Sequence, residues 1–560
     1  MISRLLQNLD AGTGLLSAWR RSQERPIRLS LGDALLPCIA AIFLVMAVTG
    51  IAMAFHYAPT TTDAWPSVHR LVNEVPLGAF IRSVHEVGTS VLIVLLGLAV
   101  VHGVLTASYR SPRGAAWLGL VALLGVLPLF PMTGNLLPWD ETGFWQTQVE
   151  ASVIGNMPVV GDIAARVLLG GAAITNLTLT RYYALHVFVA PLIFWLLLRL
   201  AWTRRTAPRD VDDGEAYGRR QFWLELAASA LVLAVLGGLA AWLPAPLDAP
   251  ADAARGVDAR PEWYFMPLYA LRKAFEGPAE VLGTAAIPGL LGAILAAMPL
   301  LDPKGTRRAL FGGVLGLAVV ALGALTAMAM KADHENSAYQ QDLTKVAARG
   351  VLATGYAKRA GSHAAVDGTI PLYQGAMLFE REACSSCHVS ALGSPETPKG
   401  PDLRGFGSRA WVKRFLMNPS APEHFGLTAL KYDENTGVGM TPYASLGEPV
   451  LTELTEFLVS LSGTVTTDPV MVAAGKAHFE GGDCSGCHDL EGGESTGPHL
   501  RGYGSNAWLA AVIADPNHLA HYGAAATEMP DYPHLSASEL RLIATWIRDA
   551  MPDDISASTP

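Results

Sequence analysis

Charge is scarce in this chain. Of 560 residues only 16% are Asp, Glu, Lys or Arg, 51% are hydrophobic, and the mean hydropathy is +0.30. That balance excludes an ordinary soluble multidomain protein and points to a membrane. Cysteine is also scarce: there are five, four of them in two short motifs near the C-terminus. The fifth, Cys38, sits in an apolar stretch and reads as an inert buried thiol. A disulfide framework is excluded by this arithmetic. No cleavable signal peptide is evident, and none is needed if the first apolar span directs insertion. With a net charge of −9, no nucleic-acid partner is expected.

Apolar runs long enough to cross a bilayer occur at about 34–57, 84–105, 115–132, 183–203, 222–243, 280–301 and 309–330. Positive charge gathers in alternate loops. Arg20, Arg21, Arg25 and Arg28 precede the first span, and Arg110 and Arg113 follow the second. Arg204, Arg205, Arg209, Arg219 and Arg220 follow the fourth; Lys304, Arg307 and Arg308 follow the sixth. The positive-inside rule then puts the N-terminus in the cytoplasm, and seven spans deliver everything after about residue 332 to the other side. From residue 333 onward the chain carries 15 Lys+Arg against 27 Asp+Glu, so this acidic part suits a basic partner or is simply a solvated surface.

The two cysteine motifs lie in that part. Cys384-Ser-Ser-Cys387-His388 and Cys484-Ser-Gly-Cys487-His488 are both C-x-x-C-H, the attachment signature of a c-type haem. Two thiols one helical turn apart can form thioethers to one porphyrin, and the next residue sits under the iron as axial ligand. A zinc site or redox dithiol would leave the histidine unexplained in both copies. A repeat surrounds the motifs: Gly400-Pro-Asp-Leu-Arg-Gly-Phe-Gly-Ser-Arg-Ala-Trp411 recurs, offset by 97, as Gly497-Pro-His-Leu-Arg-Gly-Tyr-Gly-Ser-Asn-Ala-Trp508. Asn418-Pro419 recurs as Asp515-Pro516, and His424-Phe-Gly426 as His521-Tyr-Gly523. The units resemble class I cytochrome c domains, in which a late methionine is the second axial ligand. On that resemblance Met440 and Met529 are assigned as ligands, with Met417 and Met551 as weaker candidates. His499, His518 and His521 read as surface residues, and a bis-histidine second haem stays open.

In the membrane part, two histidines stand at similar depth on different spans: His85 in Arg82-Ser-Val-His85, and His186 in Arg181-Tyr-Tyr-Ala-Leu-His186. Ionisable groups within spans are costly and point to function. A depth-matched pair suits two axial ligands of one non-covalent haem b, with Arg82 and Arg181 placed to meet its propionates. Together with Thr49-Gly50, Leu137-Pro-Trp-Asp140, Trp145 and Pro261-Glu-Trp-Tyr264, these motifs resemble cytochrome b of the bc and b6f complexes over about residues 30–332. The layout resembles four spans of b6 type followed by three of subunit IV type. The resemblance implies that Pro261, Glu262 and Tyr264 line an outer quinol-oxidation site, with Glu262 taking a quinol proton. It also implies that Gly50 and Gly134 give a porphyrin bare backbone to lie against.

The departures are as informative. The family holds a second, inner haem b with ligands 14 or 15 residues further along the second and fourth spans, about 21 Å of helix. Here those positions are Ala99, Leu200 and Ala201, and the inner glycine positions are Leu36 and Leu120. His102 lies three residues past the expected place, rotated by about 60°, and no histidine occurs between His186 and His334. The expectation is an inner cavity closed by packing and no inner haem, with the alternative that His102 still binds iron.

The expected fold is all-α: a seven-span bundle followed by two small helical cytochrome c domains. Its expected divisions are 1–30 (cytoplasmic segment), 31–205, 206–332, 333–370 (linker), 371–465 and 466–552. The expected function is the membrane cytochrome b/c subunit of a quinol:cytochrome c oxidoreductase in a bacterial inner membrane, with its C-terminal domains in the periplasm. It would hold one haem b and two covalent haems c and oxidise ubiquinol or menaquinol. No Rieske Cys/His pattern exists in the chain, so a Rieske iron–sulfur protein would be a separate partner. A cytochrome c or terminal oxidase would be the acceptor, and a dimer is implied by resemblance. The alternatives are a non-catalytic electron wire and a degenerate partner in a heterodimeric bc complex.

Overall fold

The computed structural model describes residues 31–549 apart from 112, 158–159, 206–218, 254, 276, 361–364, 492–494 and 523–527. The segment 1–30, which includes Arg20, Arg21, Arg25 and Arg28, lies outside the described residues with Arg209, Gly523 and Met551, as do the side chains of Arg204, Arg205, Arg219 and Arg220. The chain divides into two compact units, Met1–Thr354 and Gly355–Pro560. Among the described residues the structure is helical throughout, with isolated bridges and no strand.

Seven helices of the first unit are long and apolar enough to span a membrane: α1 (Gly32–Ala54), α2 (Gly78–Leu105), α3 (Gly114–Gly134), α5 (Asn176–Trp202), α6 (Gln221–Trp242), α7 (Leu282–Leu301) and α8 (Arg308–Glu335). An eighth helix, α4 (Glu141–Gly155), lies between α3 and α5. All seven expected spans are present; α2 and α5 start six or seven residues earlier than the apolar runs alone suggested. The starts are capped locally. Asp140 Oδ1 accepts from Gly143 N to open α4, and Thr175 and Thr178 form a reciprocal capping box at the start of α5. Ile39, Ile42, Leu92, Leu96, Leu123 and Phe194 fill the core where α1, α2, α3 and α5 meet. Leu44, Val48, Leu192, Leu317 and Val320 remain exposed, as residues facing lipid must.

One span is irregular at an informative place. Leu185–Val189 in α5 is a turn of π-helix, closed by Ala190 N bonding to Leu185 O, and it contains His186. Pro191 follows directly and has no N–H to continue the ordinary i→i−4 ladder. Such single wide turns recur at functional sites.

The expected linker 333–370 is largely helix. Ser337–Ala360 forms α9, and its Arg349 makes a bidentate pair with Glu141, a carboxylate with no exposure, at 2.6–3.0 Å. Arg349→Ala would bury that carboxylate without its guanidinium, at a cost of about 3–5 kcal/mol. The expected outcome is a clear drop in melting temperature, read by the loss of helical circular dichroism.

The second unit contains α10 (Ala365–Arg381), α11 (Arg409–Met417), α12 (Glu448–Ser460), α13 (Pro469–Gly481), α14 (Asn506–Ala514) and α15 (Ala537–Asp549). The repeat is visible in its caps: Ser408 and Ser505, 97 apart, each accept from the backbone N–H three residues on to open α11 and α14. The packing does not follow the expected division into 371–465 and 466–552. Helix α10, at the start of the first repeat, packs on α15, at the end of the second, while α12 packs on α13 across the boundary. Phe379 lies 4.7 Å from Trp546, and Phe457 lies 5.4 Å from Phe479. The short connection between α12 and α13 favours an antiparallel pair of helices adjacent in sequence over a long return to α10.

Candidate functional site

His85 and His186 face each other across the bundle with ring centroids 6.0 Å apart. Their environments are near-copies. Thr49 Oγ1 donates its proton to Val45 O at 2.8 Å and lies 3.1 Å from His85 Nδ1; Thr133 Oγ1 donates to Leu129 O at 2.6 Å and lies 3.1 Å from His186 Nδ1. A hydroxyl has one proton to give, so each threonine accepts from an Nδ1–H. His186 Nδ1 also donates to Phe130 O at 3.1 Å. Both rings are thereby held in the tautomer that leaves the Nε2 lone pair free. Two metal–imidazole bonds of about 2 Å each on opposite faces of one iron suit this spacing, so the residues fit a bis-histidine haem.

The next residue after each threonine is the expected glycine. A Cβ on Gly50 would lie 3.0 Å from His85 Cε1, and one on Gly134 would lie 2.7 Å from His186 Cε1. Each glycine thus makes room for a histidine ring. The arginines have other contacts: Arg82 donates to Ala245 O and Pro246 O, and Arg181 donates to Val167 O at 2.7 Å.

The C-x-x-C-H histidines follow the same rule with carbonyl acceptors. His388 Nδ1 donates to Pro401 O and His488 Nδ1 to Pro498 O, both at 2.9 Å, again leaving Nε2 available. Burial lowers the pKa of both rings, which favours the neutral, ligating form. Gly400 and Gly497 make room: a Cβ at either would come within 2.8 Å of the adjacent histidine's Cε1. Cys384, Cys387, Cys484 and Cys487 form no disulfide with one another. Met440 is part-buried against the aromatic and aliphatic cluster around Trp411, Leu454 and Phe457, whereas Met417 is 41% exposed at the end of α11.

Pro261–Tyr264 lies between two clamps. Trp263 Nε1 donates to Ser90 Oγ on α2 at 2.9 Å, and Gln146 Nε2 on α4 donates to Arg260 O at 2.7 Å. Arg260 itself pairs with Asp333 at 2.9 Å and stacks over Tyr339. The Glu262 carboxyl, half-buried, has its pKa raised by burial. Burial raises the Tyr264 hydroxyl too, with added repulsion from Glu262, Glu150 and Glu86.

Comparison with known proteins gives these arrangements a family. Residues 26–205 match the family model "Cytochrome b/b6/petB", 250–347 match "Cytochrome b(C-terminal)/b6/petD", and 470–547 match "Cytochrome C oxidase, cbb3-type, subunit III". Over 167 residues the chain is 40% identical to cytochrome b6 of Rippkaea orientalis, spanning 30% of this chain and 72% of that one. It is 41% identical to cytochrome b6 of Prochlorococcus marinus (strain MIT 9303), spanning 30% and 73%. The chain belongs to the cytochrome b/b6 family. A solved "Hyperthermophilic respiratory Complex III" chain shares the fold at TM-score 0.51 and 22% identity, covering 58% of this chain and 91% of that chain. This cytochrome b/b6 chain is thus a multi-pass membrane protein with a c-type domain behind its b-type bundle.

At the end of the cytochrome b/b6 bundle away from the His85–His186 pair, Leu36, Ala99, Leu120 and Ala201 do meet, but packing does not fill the space. A cavity of about 100 Å³ remains, lined also by Gly32, Asp33, His102 and Arg113. That is small beside the roughly 300–1,000 Å³ of ordinary ligand pockets. His102 lines it too, with its Nε2 so near α1 that a Cβ on Gly32 would lie 1.9 Å away.

Glu150 escaped the sequence reading. It lies one helical turn beyond Gln146, on the face of α4 that touches Arg260. Burial, then repulsion from Glu262, pushes its carboxyl up to about 8. Its Oε2, the Trp145 Nε1 and the Tyr182 hydroxyl are buried with no hydrogen-bond partner in the described structure. Glu150 lies in electrostatic range of both Glu262 and Tyr182, and orphaned buried polar atoms call for a polar ligand. A lone glutamate in an otherwise uncharged helix face was the available signal, but nothing in sequence placed it opposite residue 262.

Proposed function

We propose that this chain is the membrane cytochrome b/c subunit of a bc/b6f-like complex that oxidises quinol at an outer site beside Pro261–Tyr264. The observation that carries the reading is the proximity of Glu262, Tyr264 and Glu150, the last with an orphaned buried oxygen and in electrostatic range of the orphaned Tyr182 hydroxyl. A quinol hydroxyl is a donor and an acceptor, which suits these groups. Oxidation to quinone breaks two O–H bonds and releases two protons and two electrons. Glu262, in its ionised form, takes one proton and, after releasing it to water, takes the second; Glu150, held neutral at neutral pH, donates a hydrogen bond to the other oxygen. The electrons need two one-electron acceptors.

A haem b held by His85 and His186 supplies one such acceptor when bound, and a Rieske-type iron–sulfur protein on a separate subunit supplies the other. Haems c at Cys384/Cys387 and Cys484/Cys487 would carry electrons to a cytochrome c or terminal oxidase. The lipid bilayer is a bacterial inner membrane in this reading, with the haem c domains on the periplasmic side and the complex dimeric. The close approach of His102 Nε2 to Gly32 and the small size of the cavity support a count of one haem b.

Two measurements test this. A pyridine haemochrome assay on the purified chain is expected to give haem c to haem b at two to one; a ratio of two to two would remove the single-haem reading. Anaerobic addition of a short-chain quinol to the complex is expected to reduce haem b. No reduction of haem b by quinol would end the reading of this chain as a quinol-oxidising subunit.

A further inference from the structure

The second unit carries its two repeats in exchanged form, and this decides which methionine meets which haem. Around Cys384 the contacts come from the end of the chain. Cys384 Sγ lies 3.9 Å from the Tyr532 hydroxyl, His534 Nε2 lies 2.8 Å from Glu382, and Arg381 pairs with Glu539 at 3.1 Å. Gly375 on α10 abuts α15 so closely that a Cβ would be 2.2 Å from Leu542 O. Around Cys484 the contacts come from the first repeat. Tyr443 lies in electrostatic range of Cys484, Asp483 and Cys487, and Met440, Tyr443 and Cys484 pack on one cluster with Phe457 and Phe479. His478 Nε2 lies 3.0 Å from Glu453, and a Cβ on Gly475 would be 2.0 Å from Glu453 O.

The tyrosines report directly on the methionines. Each stands three residues after one, in Met440-Thr-Pro-Tyr443 and Met529-Pro-Asp-Tyr532. Each is anchored the same way, Tyr443 N to Leu416 O at 3.0 Å and Tyr532 N to Ala514 O at 3.1 Å. Yet each reaches the C-x-x-C-H of the other repeat.

The crossing point is also visible. Positions 97 apart touch one another: Phe406 and Tyr503 at 6.0 Å, Phe425 and Tyr522 at 5.9 Å, and a Cβ on Gly407 would meet Gly504 Cα at 3.9 Å. Self-contact of equivalent residues is the mark of a two-fold relation, and exchange of identical elements between two like units is domain swapping, here within one chain. Gly407 and Gly504 have φ of +76° and +75°, a turn that glycine allows where the two strands of chain pass each other.

We propose that the axial ligands are exchanged between repeats: the haem on Cys384 and Cys387 takes His388 and Met529, and the haem on Cys484 and Cys487 takes His488 and Met440. This rests on covalent haem at both motifs. The test uses the full chain with one attachment site removed, Cys484→Ala/Cys487→Ala, leaving only the haem on Cys384. In that background Met529→His is expected to abolish the methionine–iron charge-transfer band and lower the haem c potential, since a Met/His pair raises it, while Met440→His leaves both unchanged. The reciprocal background is expected to give the reverse. Loss of the band with Met440→His in the first background would overturn the exchange.

Should the cysteine variants fail to fold, a protease site placed in the 461–468 connection of the otherwise intact chain gives a second readout. Exchanged repeats are expected to stay together after cleavage with both bands intact; a separated C-terminal fragment that keeps its own methionine band would overturn the exchange. Absence of any haem c in the unmodified chain would instead overturn the functional reading beneath it.

Discussion

His186→Leu is expected to leave a protein with both covalent haems c and no haem b. The proposed bis-histidine site depends on two rings, from α2 and α5, whose centroids are 6.0 Å apart. His186 sits in the π turn and is fixed by Thr133 and Phe130, so a neighbour cannot replace it without rebuilding that turn. His85→Leu is expected to have the same effect, because it removes the other of the two rings that would hold the iron. The measurement is the pyridine haemochrome ratio, expected to move from two c to one b to two c to none. In both variants quinol should no longer reduce the haems c through this chain. Full retention of the b-type absorbance in either variant would refute the pair as ligands.

Glu262→Gln is the second large effect: quinol-driven reduction of haem b is expected to slow by about 10²-fold or more, the usual worth of a positioned proton acceptor. The amide keeps the shape and cannot take the proton. Glu150→Gln should act differently. With its carboxyl near 8, Glu150 is mostly protonated at pH 7, so a neutral amide replaces a neutral acid and the rate at pH 7 changes only a few-fold. Above pH 8 the native Glu150 ionises, loses its donor proton and places a second negative charge beside Glu262. The wild type is therefore expected to show a transition in rate near pH 8 that Glu150→Gln abolishes. A pH–rate profile from stopped-flow spectroscopy checks both. An unchanged rate in Glu262→Gln would remove the proton-acceptor role, and a persisting transition in Glu150→Gln would remove Glu150 from the site.

The legible part of this molecule was what short-range patterns encode. Apolar runs announced all seven spans because a bilayer admits only helices that satisfy their own backbone. The C-x-x-C-H motifs and the Pro-Glu-Trp-Tyr segment could be picked out as candidate sites because each is defined by neighbours within five residues. Histidine depth could be counted along two helices, and the glycine positions with them. The sequence also contained the losses at Ala99, Ala201, Leu36 and Leu120, although the structure shows a small cavity at that end where full closure was expected.

What the tertiary structure alone decided concerns groups brought together from distant helices. The tautomer of four histidines depends on Thr49, Thr133, Pro401 and Pro498, none adjacent to the ring it orients. The ordering of 337–360 depends on Glu141, some 200 residues away, which only a buried partner such as Arg349 can accommodate. Glu150 became part of the site through Gln146 and Arg260, a contact spanning 114 residues. The repeat showed two like units, but a repeat has the same local pattern whether its halves pack on themselves or on each other. The two arrangements bury the same kinds of surface and differ only in connectivity, so the short 461–468 turn and the Gly407–Gly504 crossing, both tertiary features, made that choice.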